Sequence, residues 1–287
     1  MTIDVQAIAD LGPDDRAAFF ERDAGIDAVR GDVREIVDRV RTEGDVAIRE
    51  FTSEFDGVEV GNVEITDECE RAADEIDDGI REAIETAVAN VREFHAAQLP
   101  DDWQREFSEG RTLGRRFRSL ERVGVYVPGG SAAYPSSAIM GVVPAVVAGV
   151  DHVSVVTPPA DELNPVTLAA VHIAGADAVY SVGGAQAVAG LAYGTETITS
   201  VQKIVGPGNK WVTAAKAEVR GDVEIDFLAG PSEVVVVADE SADPAFVAAE
   251  LVAQAEHDPN ASVVAVTDDE ATADAIATAV DEQVDDR

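Results

Sequence analysis

The residues of this chain that could do chemistry collect in four short glycine-bearing segments and on one helix end. The segments are Pro128-Gly-Gly-Ser131, Gly183-Gly-Ala-Gln186, Gly206-Pro-Gly-Asn209 and Ala229-Gly-Pro-Ser-Glu233. Glycine lets a backbone approach a ligand closely, and the amides of such a turn are donors for phosphate. Asn209 can also cap a helix starting near Lys210, its side-chain oxygen accepting an orphan amide. Each segment reads equally as an ordinary tight turn, and no Gly-x-Gly-x-x-Gly fingerprint is present, so spacing leaves both readings open. Gln254-Ala-Glu-His257 offers a different chemistry. Positions three apart share a helix face, so Gln254 and His257 can point at one metal ion. His257 is a good zinc ligand through a neutral ring nitrogen, whereas the Gln254 amide oxygen is a harder, weaker donor. The same residues also read as a helix-end histidine favoured by the helix dipole beside a surface glutamine. Two side chains do not complete a zinc site. The remaining histidines, His95 at a helix end, His152 at a strand start and His172 within a helix, read as structural.

The elements that must position these residues follow two grammars. Residues 1 to about 110 read as helices on a polar background, with apolar residues at helical spacing over Val33–Val40 and Ile80–Phe94. Leu99-Pro-Asp-Asp-Trp103 breaks this part from the next. From Val123 the pattern changes to short valine-rich runs: 123–127, 153–157, 178–182, 203–205, 234–238 and 262–267. Alanine-rich helical stretches separate most of them: 136–148, 165–174, 186–193, 210–219 and 244–257, with 269–282 last. This alternation predicts an α/β fold with doubly wound, mostly parallel sheets. In such sheets ligands bind at the carboxyl ends of strands, where three of the glycine segments fall.

Composition narrows the functional classes. Of 287 residues 46% are hydrophobic, enough for real cores, yet 56 acidic residues face 21 basic ones and the net charge is -35. Disorder goes with low hydrophobicity, so the charge points instead to a folded protein with an acidic surface, suited to concentrated salt that screens self-repulsion. The reading is halophilic. An acidic face for a basic partner fits less well, because the acids are spread along the whole chain. Nucleic-acid phosphates are repelled by this charge. The single cysteine, Cys69, excludes an intrachain disulfide framework, and the carboxylates around it disfavour a thiolate. No signal peptide is expected from Met1-Thr-Ile-Asp, and the apolar run 138–150 is too short to span a bilayer. No membrane partner and a cytoplasmic location follow as expectations.

Taken in order, Glu121-Arg-Val-Gly-Val-Tyr-Val-Pro-Gly-Gly130, Val182-Gly-Gly-Ala-Gln-Ala187, Gly206-Pro-Gly-Asn209, Ala229-Gly-Pro-Ser-Glu233 and Gln254-Ala-Glu-His257 resemble histidinol dehydrogenases in order and spacing. Phe94-His-Ala-Ala-Gln-Leu-Pro100 and Ile225-Asp226 fit as well. The resemblance runs from about residue 30 onward. It implies an oxidoreductase of histidine biosynthesis that takes L-histidinol through the aldehyde to L-histidine, each of two hydrides accepted by one NAD. By the resemblance, Tyr126, Gln186 and Asn209 bind NAD, Ser232 contacts histidinol, and Gln254 and His257 ligate zinc and lie against the substrate. The zinc orients the substrate more than it generates hydroxide.

The resemblance also implies two Rossmann-like domains, one inserted in the other. Residues 1–124 hold a helical segment and the first part of the outer domain, 125–232 the inserted NAD-side domain, and 233–287 a continuation of the outer domain with the zinc segment. The family's Glu-His catalytic pair and two further zinc ligands, one of them from the partner subunit of a homodimer, are expected beyond residue 287. No residue here matches the catalytic base. In the family the outer domain continues past residue 287, so an incomplete outer domain with an exposed edge or apolar surface is expected. The alternative reading is a catalytically inactive remnant that retains dinucleotide binding. A more distant option, a dehydrogenase of aldehyde type, needs a cysteine nucleophile, and Cys69 lies away from every glycine segment.

Overall fold

A computed structural model of the chain describes residues 4–18, 25–129, 133–160, 162–229, 232–257 and 261–285. A short helix α1 (Pro13–Ala18) precedes four longer ones, α2 (Ile26–Glu43), α3 (Asp45–Asp56), α4 (Thr66–Glu75) and α5 (Asp78–Ala96). A hairpin of β1 (Trp103–Ser108) and β2 (Arg111–Arg115) follows. Then strands and helices alternate: β3 (Arg122–Tyr126), α6 (Pro135–Val147), β4 (His152–Thr157), α7 (Pro165–Ala174), β5 (Ala178–Ser181), α8 (Gly184–Tyr193), β6 (Lys203–Val205), α9 (Lys210–Val219) and β7 (Glu224–Ile225). The chain continues through β8 (Glu233–Ala238), α10 (Pro244–His257), β9 (Ser262–Thr267) and α11 (Glu270–Asp285). It divides into two compact units, one of residues 25–229 and one joining the described residues of 1–24 and 230–287.

In the larger unit β5-β4-β3-β6-β7 form one sheet in that order, every neighbouring pair parallel. Side chains alternate across it, as the two-residue period of a strand requires. Val123, Val125, Val153, Val155 and Val179 join one core with residues of α4–α7, and Tyr126, Val156, Tyr180 and Ile204 join another with α2, α3, α8 and α9. Burial on both faces explains why these strands read as valine runs and not as polar–apolar alternation. From β3 the chain winds outward through β4 and β5, then returns to lay β6 on the other side of β3. Strands β3 and β6 therefore flank the topological switch point, where open α/β sheets bind ligands. The doubly wound, parallel expectation describes this sheet.

Local chemistry fixes the elements around it. Helix α2 buries Val29, Val33, Ile36, Val37 and Val40 at helical spacing. On α5 the stripe is narrower: Ile84 and Val88 are buried, while Ile80 and Phe94 are exposed. Asn164 caps α7 and Asn209 caps α9, each side-chain oxygen accepting two amides of the first turn.

Residues 103–115 depart from the helical expectation for the first part of the chain. Their charges and aromatics alternate about Glu109-Gly110, and Gly110 takes φ 74° at the turn, so the segment pairs as an antiparallel ribbon. Every residue of β1 and β2 is exposed. No helical core face was available to this stretch.

In the smaller unit β8 and β9 pair in parallel, joined by α10. Val234, Val236, Ala238, Val263 and Ala265 pack with Val247, Leu251 and Val252 of α10 and Ile276 and Val280 of α11. The opposite face of β8 is bare, with Val235 64% and Val237 80% exposed.

Candidate functional site

The switch point of the larger unit is assembled from three chain segments. Tyr126 ends β3, buried among α8 and α9. Its hydroxyl accepts a hydrogen bond from the Gly184 amide, 3.1 Å away, and so answers one orphan donor at the start of α8. Burial pushes the Tyr126 hydroxyl up to about 12, and the charge of Asp56 adds to the rise against the opposing Gly184 bond. Tyr126 is thus a neutral phenol at ordinary pH, able to donate its proton in a hydrogen bond and unsuited to act as a base.

Gln186 lies in the first turn of α8 and is 1% exposed. Its Oε1 has no hydrogen-bond partner, and a Cβ on Gly184 would lie 2.6 Å from it. An unanswered buried carbonyl costs roughly 1–3 kcal/mol.

The third segment is the turn from β6 into α9. Gly206 has φ 108°, and a Cβ there would stand 2.2 Å from the Tyr126 carbonyl oxygen, so the position accepts glycine alone. Three residues on, Asn209 Oδ1 accepts the Trp211 and Val212 amides. Asn209 is exposed. Gly183 is comparably crowded, since a Cβ there would lie 2.8 Å from Pro158 after β4. The structure therefore brings Tyr126, Gln186 and Asn209 to one patch, linked through Gly184 and Gly206, at the carboxyl ends of β3, β5 and β6.

The other predicted residues belong to the smaller unit. Ser232 is exposed and precedes β8, its carbonyl accepting the Ser262 amide at 3.1 Å. Gln254 is half-buried on α10, and His257 is the last residue of that helix. Gly130, Ser131, Gly230, Pro231 and the His257 side chain lie outside the described residues. Among the described residues no three His, Cys, Asp or Glu side chains converge as a metal site. Gln254 and His257 alone are two donors where zinc takes four. They do not by themselves make a zinc site.

Cys69 is buried, its thiol pushed up to about 12 by desolvation and then by Glu68, which agrees with its exclusion as a nucleophile. A hollow of about 570 Å³ lies along the hairpin at Asp102, Trp103, Leu113 and Arg115, but it brings none of the predicted residues together.

Two features of the site went unread in the sequence. Asp56, at the end of α3, has a buried Oδ2 without a partner, and desolvation raises its pKa. Lys216 of α9 and Asp226 after β7 form a buried ion pair at 2.6 Å beneath the Gly206 turn. Lys216 is one of only three lysines among 21 basic residues, and Asp226 falls in the Ile225-Asp226 segment of the resemblance, but neither signal pairs the two.

The whole chain has relatives of known family. The family model for histidinol dehydrogenase matches residues 21–287. A histidinol dehydrogenase of Halobacterium salinarum is 71% identical over 285 residues, covering 99% of this chain and 67% of the relative. That of Bacillus subtilis is 47% identical over 265 residues, covering 91% and 62%. The crystal structure of histidinol dehydrogenase from Elizabethkingia anophelis superposes with a TM-score of 0.86 at 34% identity, covering 96% of this chain and 65% of that one. The chain thus spans about two thirds of the length of these relatives. With the family model matched over nearly its full length and the fold shared, the chain belongs to the histidinol dehydrogenase family.

Proposed function

We propose that this chain provides the dinucleotide side and part of the substrate side of an enzyme oxidising L-histidinol to L-histidine. The observation that carries the reading is at the switch point, where Gln186 Oε1 is buried and unanswered two residues after Gly184, whose amide donates to the Tyr126 hydroxyl. NAD supplies the hydride acceptor for each of the two oxidations. The chain's own residues bind and orient it. Gln186 Oε1 accepts a hydrogen bond from the nucleotide, Tyr126 holds the first turn of α8 and keeps its proton, and Asn209, exposed at the start of α9, offers its side-chain amide. The glycines at 183 and 206 bring backbone close enough to serve as the floor.

On the substrate side, Ser232, Gln254 and His257 are assigned to histidinol, with Gln254 and His257 as two ligands of a zinc site whose other ligands are not among the matched residues. No step is derived through that metal. We also assign residues 125–232 to a domain inserted in an outer one. The smaller unit is likewise made of two chain segments that flank the larger one in sequence, although the larger unit takes in residues 25–124 as well. A homodimer in the cytoplasm completes the proposal. No described helix is long and apolar enough to cross a membrane.

A second reading, NAD binding without turnover, is favoured by the two-donor set and the lack of a matched base. Both are tested on the purified chain in several-molar KCl. NAD reduction with histidinol and added zinc establishes the dehydrogenase. NAD binding in calorimetry without reduction establishes the second reading, and neither signal overturns both.

A further inference from the structure

Building on the nucleotide reading, we propose that Lys216 and Asp226 are positioning residues that set the Gly206–Asn209 turn against Tyr126. The reasoning starts from Gly206. Its φ of 108° takes it out of the strand, so neither its amide nor its carbonyl can continue the β6 ladder. Both are answered by the pair: the Gly206 amide donates to Asp226 Oδ2 at 2.8 Å, and Lys216 Nζ donates to the Gly206 carbonyl at 2.7 Å. Lys216 Nζ donates again to Asp226 Oδ1 at 2.6 Å, and the Phe227 ring lies 5.5 Å from the ammonium. Asp226 Oδ1 also accepts the Phe227 amide at 2.7 Å, and the Asp226 amide donates to the Ile204 carbonyl at 3.2 Å. The carboxylate is thereby anchored to the sheet by its own backbone and to the turn by its side chain.

A buried ion pair is weak evidence for stability, since apolar residues of the same volume do as well. What apolar residues cannot do is answer a donor and an acceptor on one glycine at once. The pair therefore fixes a height. Gly206 rests on the Tyr126 carbonyl, and Asn209 follows three residues later, so a slack turn moves both edges of the nucleotide patch.

The test uses the 287-residue chain in several-molar KCl with Lys216→Met and Asp226→Asn, in a Trp103→Phe background that leaves Trp211 as the single emitter. Trp211 donates its amide to Asn209 and so reports the turn. Both variants are expected to weaken NAD binding by calorimetry about tenfold to hundredfold, the scale of a roughly 1 Å misplacement. Both should shift Trp211 emission before any nucleotide is added. Electrostatics alone gives opposite signs, because removing a carboxylate near an anionic ligand tightens binding. Equal or tighter binding by folded Asp226→Asn overturns the proposal. If the parent takes up no NAD, the nucleotide reading falls separately. Emission then decides the clamp: a shift in both variants supports it, and no shift overturns it.

Discussion

The two units are built from the same local grammar and end in different states. In residues 25–229 the run Val123-Gly-Val-Tyr-Val127 is covered on both faces, while in the smaller unit Val234 and Val236 are packed and Val235 and Val237 stand in solvent. Valine content specifies a strand in both places. What covers the strand is decided by partners distant in sequence: α8 and α9 pack one face of the larger sheet and α6 and α7 the other, whereas α10 and α11 share one face of β8–β9. The same difference governs the sites. At the switch point a two-sided core underlies the loops that carry Tyr126, Gln186 and Asn209. Gln254 and His257 lie on a helix whose sheet is packed on one side only.

The largest effect that could break this comparison is at Gly206. Gly206→Ala adds backbone strain and a contact at 2.2 Å, together costing about 3–5 kcal/mol and lowering the Tm of the larger unit by roughly 10 °C. Gly221→Ala is the control. It has φ 115° with nothing within 4 Å, so strain alone applies, about 1–2 kcal/mol. Calorimetric melts of both variants check this, and equal losses would show that the Tyr126 contact is slack.

Alkaline pH should separate the units next. All four tyrosines lie between residues 126 and 193. The Tyr126 hydroxyl, ordinarily near 10, is raised to about 12 by burial. The fold favours its protonated form, so this stabilisation is complete below pH 10 and is lost as pH rises from 10 to 12. The transition of residues 25–229 should fall over that window by up to about 2–3 kcal/mol from this group, with the smaller unit unaffected by tyrosine. Thermal melts at pH 8 and pH 11, followed by proteolysis to tell the units apart, measure it.

Gln186→Leu carries two effects of opposite sign. Removing the unanswered Oε1 stabilises the larger unit by about 1 kcal/mol or leaves it unchanged, while NAD binding weakens by about tenfold. A variant that melts earlier would mean that the amide is satisfied in solution.

Much of this architecture was legible because its signals are local. The alternation from 122 to 219 follows from valine runs and helix caps, and Asn209 announced its cap by type and position alone. The hairpin at 103–115 was not legible, since its charges hide a two-residue period and it has no buried face. Burial of Gln186 could not be read either, because α8 is sealed by α2 and α9 from opposite ends of the unit's sequence. Lys216 and Asp226 stand ten residues apart across a turn and a short strand, and only the folded sheet makes them a pair. The assignments of Tyr126, Gln186 and Asn209 came through family resemblance, and local spacing left their loops open to the plainer reading of tight turns.

The smallest effect is the most direct measure of the contrast, because one substitution can be made in both sheets. Val155→Thr places a hydroxyl at a site with no exposure, facing the α4–α7 core, where a new polar group must find a partner or remain unsatisfied. That costs about 1–3 kcal/mol. Val237→Thr makes the same change at a site 80% exposed, where water answers the hydroxyl and threonine keeps the β-branched shape that suits a strand. Its cost should lie within about 0.5 kcal/mol of zero. Val235→Thr with Val237→Thr should also lower light scattering on concentration, since the pair presents an apolar strip to other chains. Denaturant melts compare the two sites. A cost at Val237 matching that at Val155 would show that the bare face of β8 is covered in solution, and the difference between the units would vanish with it.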